Sequence, residues 1–331
     1  MANRNARQGS NNRQEKGVPP ASGPSNTKPH EASIMIMGAT GSGKSTFINL
    51  LSGSKLKASD RLASCTQHIE LASSFELDGH RVILIDTPGF DDTDRSDAEI
   101  FKVIAAFLEA HYKSGVKLHG IIYLHRITDN RIGGVSKRAF TVFQKLCGGD
   151  ALKNTIFATT MWNKVTPEEA ETRERELRTN DQFLKPALEK GAHLVRHHNT
   201  KESAQSIIRR LLGNTPLPLA IQHELVELGK PFHTTEAGRE ISRGIEELVQ
   251  KHAKDIEALQ AEIAESMRTK DKRAILELKV EQRETKAALK KTRKEAKNLT
   301  PDFRKQRLTA TKLLSRGMKS PRGKNEAGGW C

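Results

Sequence analysis

Eight residues constrain this chain more than any others. Gly38-Ala39-Thr40-Gly41-Ser42-Gly43-Lys44-Ser45 reads G-x-x-x-x-G-K-S, the P-loop pattern. The apolar run Ser33–Met37 before it predicts a buried strand, and Thr46–Leu51 after it predicts a helix start, with Gly53 as a stop. Strand, glycine-rich turn and helix are the context this motif requires. Glycines let the backbone come close to a phosphate and turn its N–H groups inward, and the helix N-terminus adds partial positive charge. At this spacing Lys44 reaches the β- and γ-phosphates of a nucleotide and Ser45 reaches Mg²⁺.

A second motif narrows the chemistry. Arg81–Ile85 is a near-continuous apolar run, as expected of a strand covered on both faces. It ends in Asp86-Thr87-Pro88-Gly89, a D-x-x-G placed 48 residues after Gly38. An acidic residue at the carboxyl end of such a strand, beside a P-loop, holds the Mg²⁺ shell, and the glycine N–H meets a γ-phosphate.

The rest of the chain predicts alternating strands and helices. Ile69–Leu77 reads as an edge or second strand with a hairpin signal at Asp78-Gly79. Asp97–Lys113, Lys137–Cys147, Pro167–Leu177 and Lys201–Leu212 read as helices; Leu118–Leu124, Asn154–Thr160 and Ala192–His198 read as strands. This order predicts an α/β fold: a mostly parallel sheet with helices on both faces, followed by a long C-terminal helix. Ligands bind such sheets at the carboxyl ends of the strands, where every motif above falls. The expected organisation is a disordered arm over 1–31, the nucleotide-binding domain over 32–213 and a connector over 214–234. A long helix, partly coiled-coil-like, follows over 235–299, and a basic, largely disordered tail over 300–331.

The net charge is +15, but it is uneven. Nineteen Lys and Arg against seven Asp and Glu fall in residues 270–331, so the basicity belongs to the C-terminal part and is no argument that the central domain binds nucleic acid. Three scattered cysteines, Cys65, Cys147 and Cys331, make neither a disulfide framework nor a zinc pattern and suit a reducing compartment. With no apolar leader and no apolar run of membrane-spanning length, the sequence predicts an intracellular, cytoplasmic protein.

Together these motifs carry a resemblance. Residues 33–212 resemble the G domain of P-loop GTPases. The segments Leu84–Asp92, Tyr123–Ile127 and Thr160-Met161-Trp162 look like the septin-like and immunity-associated branch and its fungal G-domain proteins. The resemblance implies a guanine-nucleotide switch using GTP/GDP and Mg²⁺. It places Gly38, Ala39, Thr40, Gly41, Ser42, Gly43, Lys44, Ser45 and Thr46 on the phosphates. It makes Thr66, with Ser64 beside it, the switch threonine on Mg²⁺, gives Asp86 a water-mediated Mg²⁺ contact and makes Gly89 the γ-phosphate sensor. Thr160, Trp162 and Asn163 then stand at the base-reading element, and His198 and Asn199 at a second base-contacting loop.

Two positions depart from the family pattern. Asn163 stands where the family has an aspartate; a carboxylate accepts both guanine N–H donors, whereas an amide offers one acceptor oxygen and two donors. Phe90 stands where Ras-type proteins carry the glutamine that orients water. Asp91, Asp92 or a residue supplied by a partner is a candidate to orient water, and Arg126 or Arg131, in the loop after a strand, a candidate to offer charge to the transition state. Slow hydrolysis is therefore expected. Two other readings stay open: an ATP-binding P-loop ATPase, and a nucleotide-binding scaffold with little hydrolysis that self-associates. Homodimerisation through the G domain or the coil follows from the resemblance. The basic tail is open to contact with an anionic membrane or nucleic acid, or to being a solvated helical face.

Overall fold

The computed structural model describes residues 30–56, 68–92, 95–129, 134–299 and 304–317. Its centre is one sheet of seven strands: β1 His30–Gly38, β2 Glu70–Leu71, β3 Phe75–Leu77, β4 His80–Asp86, β5 Leu118–Arg126, β6 Thr155–Thr160 and β7 His193–Arg196. The order is β2-β4-β1-β5-β6-β7; β1, β4, β5, β6 and β7 run parallel, and the short β2 and β3 pair antiparallel with β4. The expected second strand over 69–77 is thus two short pieces. The turn into β4 is made by Asp78 and Gly79 at φ 49° and 77°, the backbone a two-residue hairpin needs.

Alternation along β1 divides the core. Ile34 and Ile36 face a cluster with Phe47, Ile48, Ile207 and Ile208, under α1 Lys44–Ser52 and α5 Lys201–Leu212. Met35 and Met37 face the larger cluster under α2 Asp97–Lys113, α3 Gly134–Cys147 and α4 Pro167–Thr179. α2, α4 and α5 each begin with a Ser or Thr side chain accepting from the N3 amide: Ser96, Thr166 and Thr200.

The C-terminal third differs from the sequence expectation. The segment 235–299 is two helices, α6 Glu236–Arg268 and α7 Lys272–Leu299, folded back on each other. Lys270 takes φ 58°, and the Asp271 carboxylate accepts from the amides of Arg273 and Ala274 at 3.1 and 3.0 Å, capping α7. The apolar stripe of α6, with Leu259 and Ile263 buried, is covered by this return helix. A single long helix would leave it in water, at a cost of about 1.5–3 kcal/mol per large aliphatic side chain.

The expected connector 214–234 is packed, with Leu219, Ile221, Leu225 and Phe232 buried in the larger core cluster. The expected tail contains α8 Arg304–Gly317, docked on α2 through Ala310 and Leu314. Arg307 Nε donates at 2.7 Å to Glu109, whose side chain is 2% exposed. The remainder of the tail, 318–331, and the arm 1–29 lie outside the described residues; His30 and Glu31 belong to β1. No helix among the described residues is long and apolar enough to cross a membrane.

Candidate functional site

β1 delivers its last residue, Gly38, into the turn at φ 140°, where a Cβ would overlap the carbonyl oxygen of Leu124 on β5. The loop then enters α1 with Gly43 as N-cap at φ 95°. Lys44, the first residue of α1, is 7% exposed. Its Nζ donates to the carbonyls of Gly38 at 3.1 Å and Ala39 at 3.0 Å. Burial lowers its pKa to about 8; Asp86 pulls it up and Arg126 pushes it further down.

Asp86 closes β4. One of its oxygens accepts from Ser45 Oγ at 3.0 Å, and the other, Oδ1, is buried with no hydrogen-bond partner among the described residues. Burial raises its pKa, against the pull of Lys44 and Ser45. A hydroxyl and a buried carboxylate oxygen without a partner form a hard-oxygen donor pair, the chemistry that suits Mg²⁺. Thr40 Oγ1 and Ser42 Oγ are likewise buried without partners. Such atoms are costly to leave so unless a ligand satisfies them.

The Asp86–Phe90 loop lies directly on the P-loop. Thr87 Oγ1 donates to the Ile36 carbonyl at 2.8 Å. The Thr40 amide donates to the Phe90 carbonyl at 2.7 Å, and the Phe90 amide donates to the Gly38 carbonyl at 3.2 Å. A Cβ on Gly89 would stand 2.5 Å from Thr40 Oγ1 and 2.7 Å from its backbone nitrogen, so only glycine fits. Phe90 points away from the cleft: it is 1% exposed and stacks on Phe101 with centroids 4.5 Å apart.

Arg126, at the end of β5, is held by Asp129 at 2.9 Å. Its Nη1 lies 3.2 Å from where a Cβ on Gly41 would stand, so the guanidinium leans over the P-loop. Thr66, Ser64 and Arg131 lie outside the described residues.

The far side of the P-loop opens into a cavity of about 420 Å³. Ser42, Gly43 and Thr46 form one wall, and Thr160, Trp162, Asn163, His198 and Asn199 the other. The structure therefore brings Ser42, Gly43 and Thr46 of the candidate phosphate residues and all five candidate base residues to one cavity. The Thr160 hydroxyl is engaged with the backbone, 3.0 Å from the Ser42 carbonyl, and so braces β6 against the P-loop. Trp162 is fixed by its Nε1, which donates to Thr159, and by the Arg196 guanidinium 4.3 Å from its ring centroid. Glu174 pairs with Arg196 at 2.6 Å.

Met161, Lys164 and His197, neighbours of the candidate base-side residues, line this cavity as well. Met161 turns the chain at φ 63°. His197 is 4% exposed and shares a 2.8 Å hydrogen bond with Ser203; burial holds its pKa near 4, so the imidazole is neutral. The one sequence signal for them is position after a predicted strand.

A parallel sheet with a P-loop, a strand-end aspartate on the P-loop serine and an adjoining cavity define a nucleoside-phosphate-binding domain. Residues 33–146 match the family described as 50S ribosome-binding GTPase. This stretch is a P-loop GTPase G domain; the match ends before β6, so the base-side loops lie beyond it. GTP-binding protein A of Dictyostelium discoideum is 27% identical over 139 residues, 42% of this chain and 30% of that protein. The chain thus matches under a third of that relative's length. Among solved structures, Toc33 from Arabidopsis thaliana in complex with Mg²⁺ and GMPPNP is similar at 14% identity and a TM-score of 0.46, over 56% of this chain and 87% of that one. Era in complex with MgGDPNP and a 16S ribosomal RNA segment is similar at 20% identity and a TM-score of 0.40, over 57% and 59% of the two chains.

Proposed function

We propose that this protein is a guanine-nucleotide switch with slow, Mg²⁺-dependent GTP hydrolysis. The observation that carries this reading is the Ser45–Asp86 contact, with Asp86 Oδ1 buried and unpartnered beside Lys44. In this reading Gly38–Thr46 hold the phosphates, Lys44 lies along the β- and γ-phosphates, and Ser45 and Asp86 hold Mg²⁺, with Thr66 joining them in the triphosphate state. Mg²⁺ supplies neutralisation of phosphate charge. The Gly89 amide meets the γ-phosphate. Since the Thr40 amide is held by the Phe90 carbonyl, a phosphate that claims this amide pulls on the Asp86–Phe90 loop. Trp162, Asn163, His198 and Asn199 surround the base.

Hydrolysis is slow in this reading because Phe90 is packed in the core and offers nothing to the attacking water. Arg126 is the cation placed to meet phosphate charge. The D-T-P-G-F segment at Asp86–Phe90 supports placing the chain in the septin-like and immunity-associated branch. Self-association through the G domain or the helical region follows from that placement; light scattering with diphosphate and with a non-hydrolysable triphosphate checks it.

The test is a titration of nucleotide-free protein with fluorescent GDP, GTP and ATP, with and without Mg²⁺. Guanine nucleotides should bind more tightly, and Mg²⁺ should strengthen the triphosphate complex. Equal affinity for ATP would move the assignment to an ATP-binding P-loop protein. Tight, Mg²⁺-dependent binding without turnover would favour the scaffold reading.

A further inference from the structure

The two helices of the C-terminal hairpin carry their charges differently. α6 holds five Lys and Arg and eight Asp and Glu, and three of its five cations are paired along the helix: Arg239 with Glu236, Arg243 with Glu240 and Glu247, and Arg268 with Glu265. That is an ordinary solvated face. α7 holds ten Lys and Arg and four Asp and Glu, and the two signs are segregated. Lys279, Arg283, Lys286, Lys290, Lys294 and Lys297 recur at +4, +7, +11, +15 and +18, and all six are exposed. At 100° per residue they fall within about 40° of one line on the helix, running roughly 27 Å. Leu289 and Thr292, the buried residues of this stretch, and Glu277, Glu281, Glu284 and Glu295 all lie roughly 100° or more away from this line. Among the described residues Lys279, Arg283, Lys290 and Lys294 form no ion pair, and Lys286 bonds only the neutral Gln282.

A row of like charges on one face repels itself. An anionic partner offsets that repulsion. Its class follows from what accompanies the cations. α7 contains no aromatic residue, so there is no platform for stacking bases. Large aliphatic side chains stand out instead: Leu276 is 67% exposed, Val280 54% and, on the last turn of α6, Met267 53%. A straight cationic row ending in an exposed aliphatic tip fits a flat anionic surface with an apolar layer beneath its charges.

We propose that the outer face of α7 docks on an anionic lipid bilayer, with the Met267–Leu276–Val280 tip entering the headgroup boundary. The inference stands apart from the nucleotide reading, because the face lies outside the cleft.

The experiment is vesicle co-sedimentation of the full chain with phosphatidylcholine alone and with phosphatidylcholine mixed with phosphatidylserine. Binding should require phosphatidylserine and weaken with salt. Replacing Lys279, Arg283, Lys286 and Lys290 together by Glu should weaken it more than about tenfold, given the attraction each cation contributes near such a surface. The pair Leu276→Ser and Val280→Ser, which leaves every charge in place, should weaken binding while nucleotide affinity and thermal unfolding stay as in the parent. No binding of the unaltered chain to phosphatidylserine vesicles overturns the proposal. So does binding that survives the four Glu substitutions, or a chain that binds RNA through this row and ignores the vesicles.

Discussion

The amide of Thr40 donates a 2.7 Å hydrogen bond to the carbonyl of Phe90, while the Phe90 side chain is stacked 4.5 Å from Phe101 in the core. One residue thus ties the P-loop to the following loop through its backbone and anchors that loop through its ring. Phe90→Gln places the water-orienting residue of Ras-type proteins at this position, yet its side chain would have to enter the core. The expected outcome is no faster single-turnover hydrolysis and a stability loss of about 3–5 kcal/mol, as for loss of a buried aromatic ring. Thermal or denaturant unfolding and a single-turnover assay check both. The parent rate should lie below about 10⁻² s⁻¹, the scale of G proteins with an arginine in cis.

Asp86→Asn keeps the shape and removes the charge. Mg²⁺-dependent strengthening of triphosphate binding should fall by about 10–100-fold, the effect of losing a partner one step from a metal. Binding without Mg²⁺ should change little. Titrations with and without the metal separate the two.

Lys44 supplies a pH signature. Its pKa in the folded protein is lowered to about 8, chiefly by burial, from an ordinary value of 10.5. Below pH 8 it is charged in both folded and unfolded chains. Between the two values the unfolded chain binds more protons, so the stability of the nucleotide-free protein should gain with rising pH from this group, by roughly 3 kcal/mol across the whole window. Phosphate oxygens favour the charged amine, so nucleotide binding above pH 8 should take up a proton. Calorimetry in buffers of different ionisation enthalpy reads this uptake, and Lys44→Met should abolish it together with most of the affinity.

Asn163→Asp supplies the second acceptor oxygen that guanine calls for. Guanine nucleotides should bind more tightly by about 1–3 kcal/mol, the cost of one unsatisfied polar group. ATP affinity should not follow. Competition titration of the two variants against both nucleotides measures the difference.

Arg307→Ala leaves Glu109, with a side chain 2% exposed, with Lys113 at 2.7 Å as its remaining ion pair among the described residues. The docking of α8 on α2 should weaken by about 1–3 kcal/mol. Hydrogen exchange should rise over Arg304–Gly317 and stay unchanged in β1 and β4.

The P-loop end of the cleft was legible in the sequence because it is local. Gly38–Ser45 needs only a strand before it and a helix after it, and Asp86–Gly89 needs only the apolar run that carries it there. The base side was legible as positions after predicted strands, yet its geometry depends on register. Thr159 lies opposite Arg196 in the β6–β7 pair, and that pairing brings the guanidinium onto the Trp162 ring. Phe90 read as a missing glutamine; its depth in the core follows from α2 and β5, which bring Phe101 and Tyr123 to it. The C-terminal third was read as helix from its composition and periodicity. Its fold-back at Lys270, and the docking of α8 on Glu109 across 198 residues, depend on surfaces far apart in the chain. The sequence by itself determined the P-loop turn, since backbone conformation and chemistry there are set within a few residues. Tertiary structure decided the cavity beside it, the burial of Phe90 and the helical hairpin, since each rests on packing between distant segments.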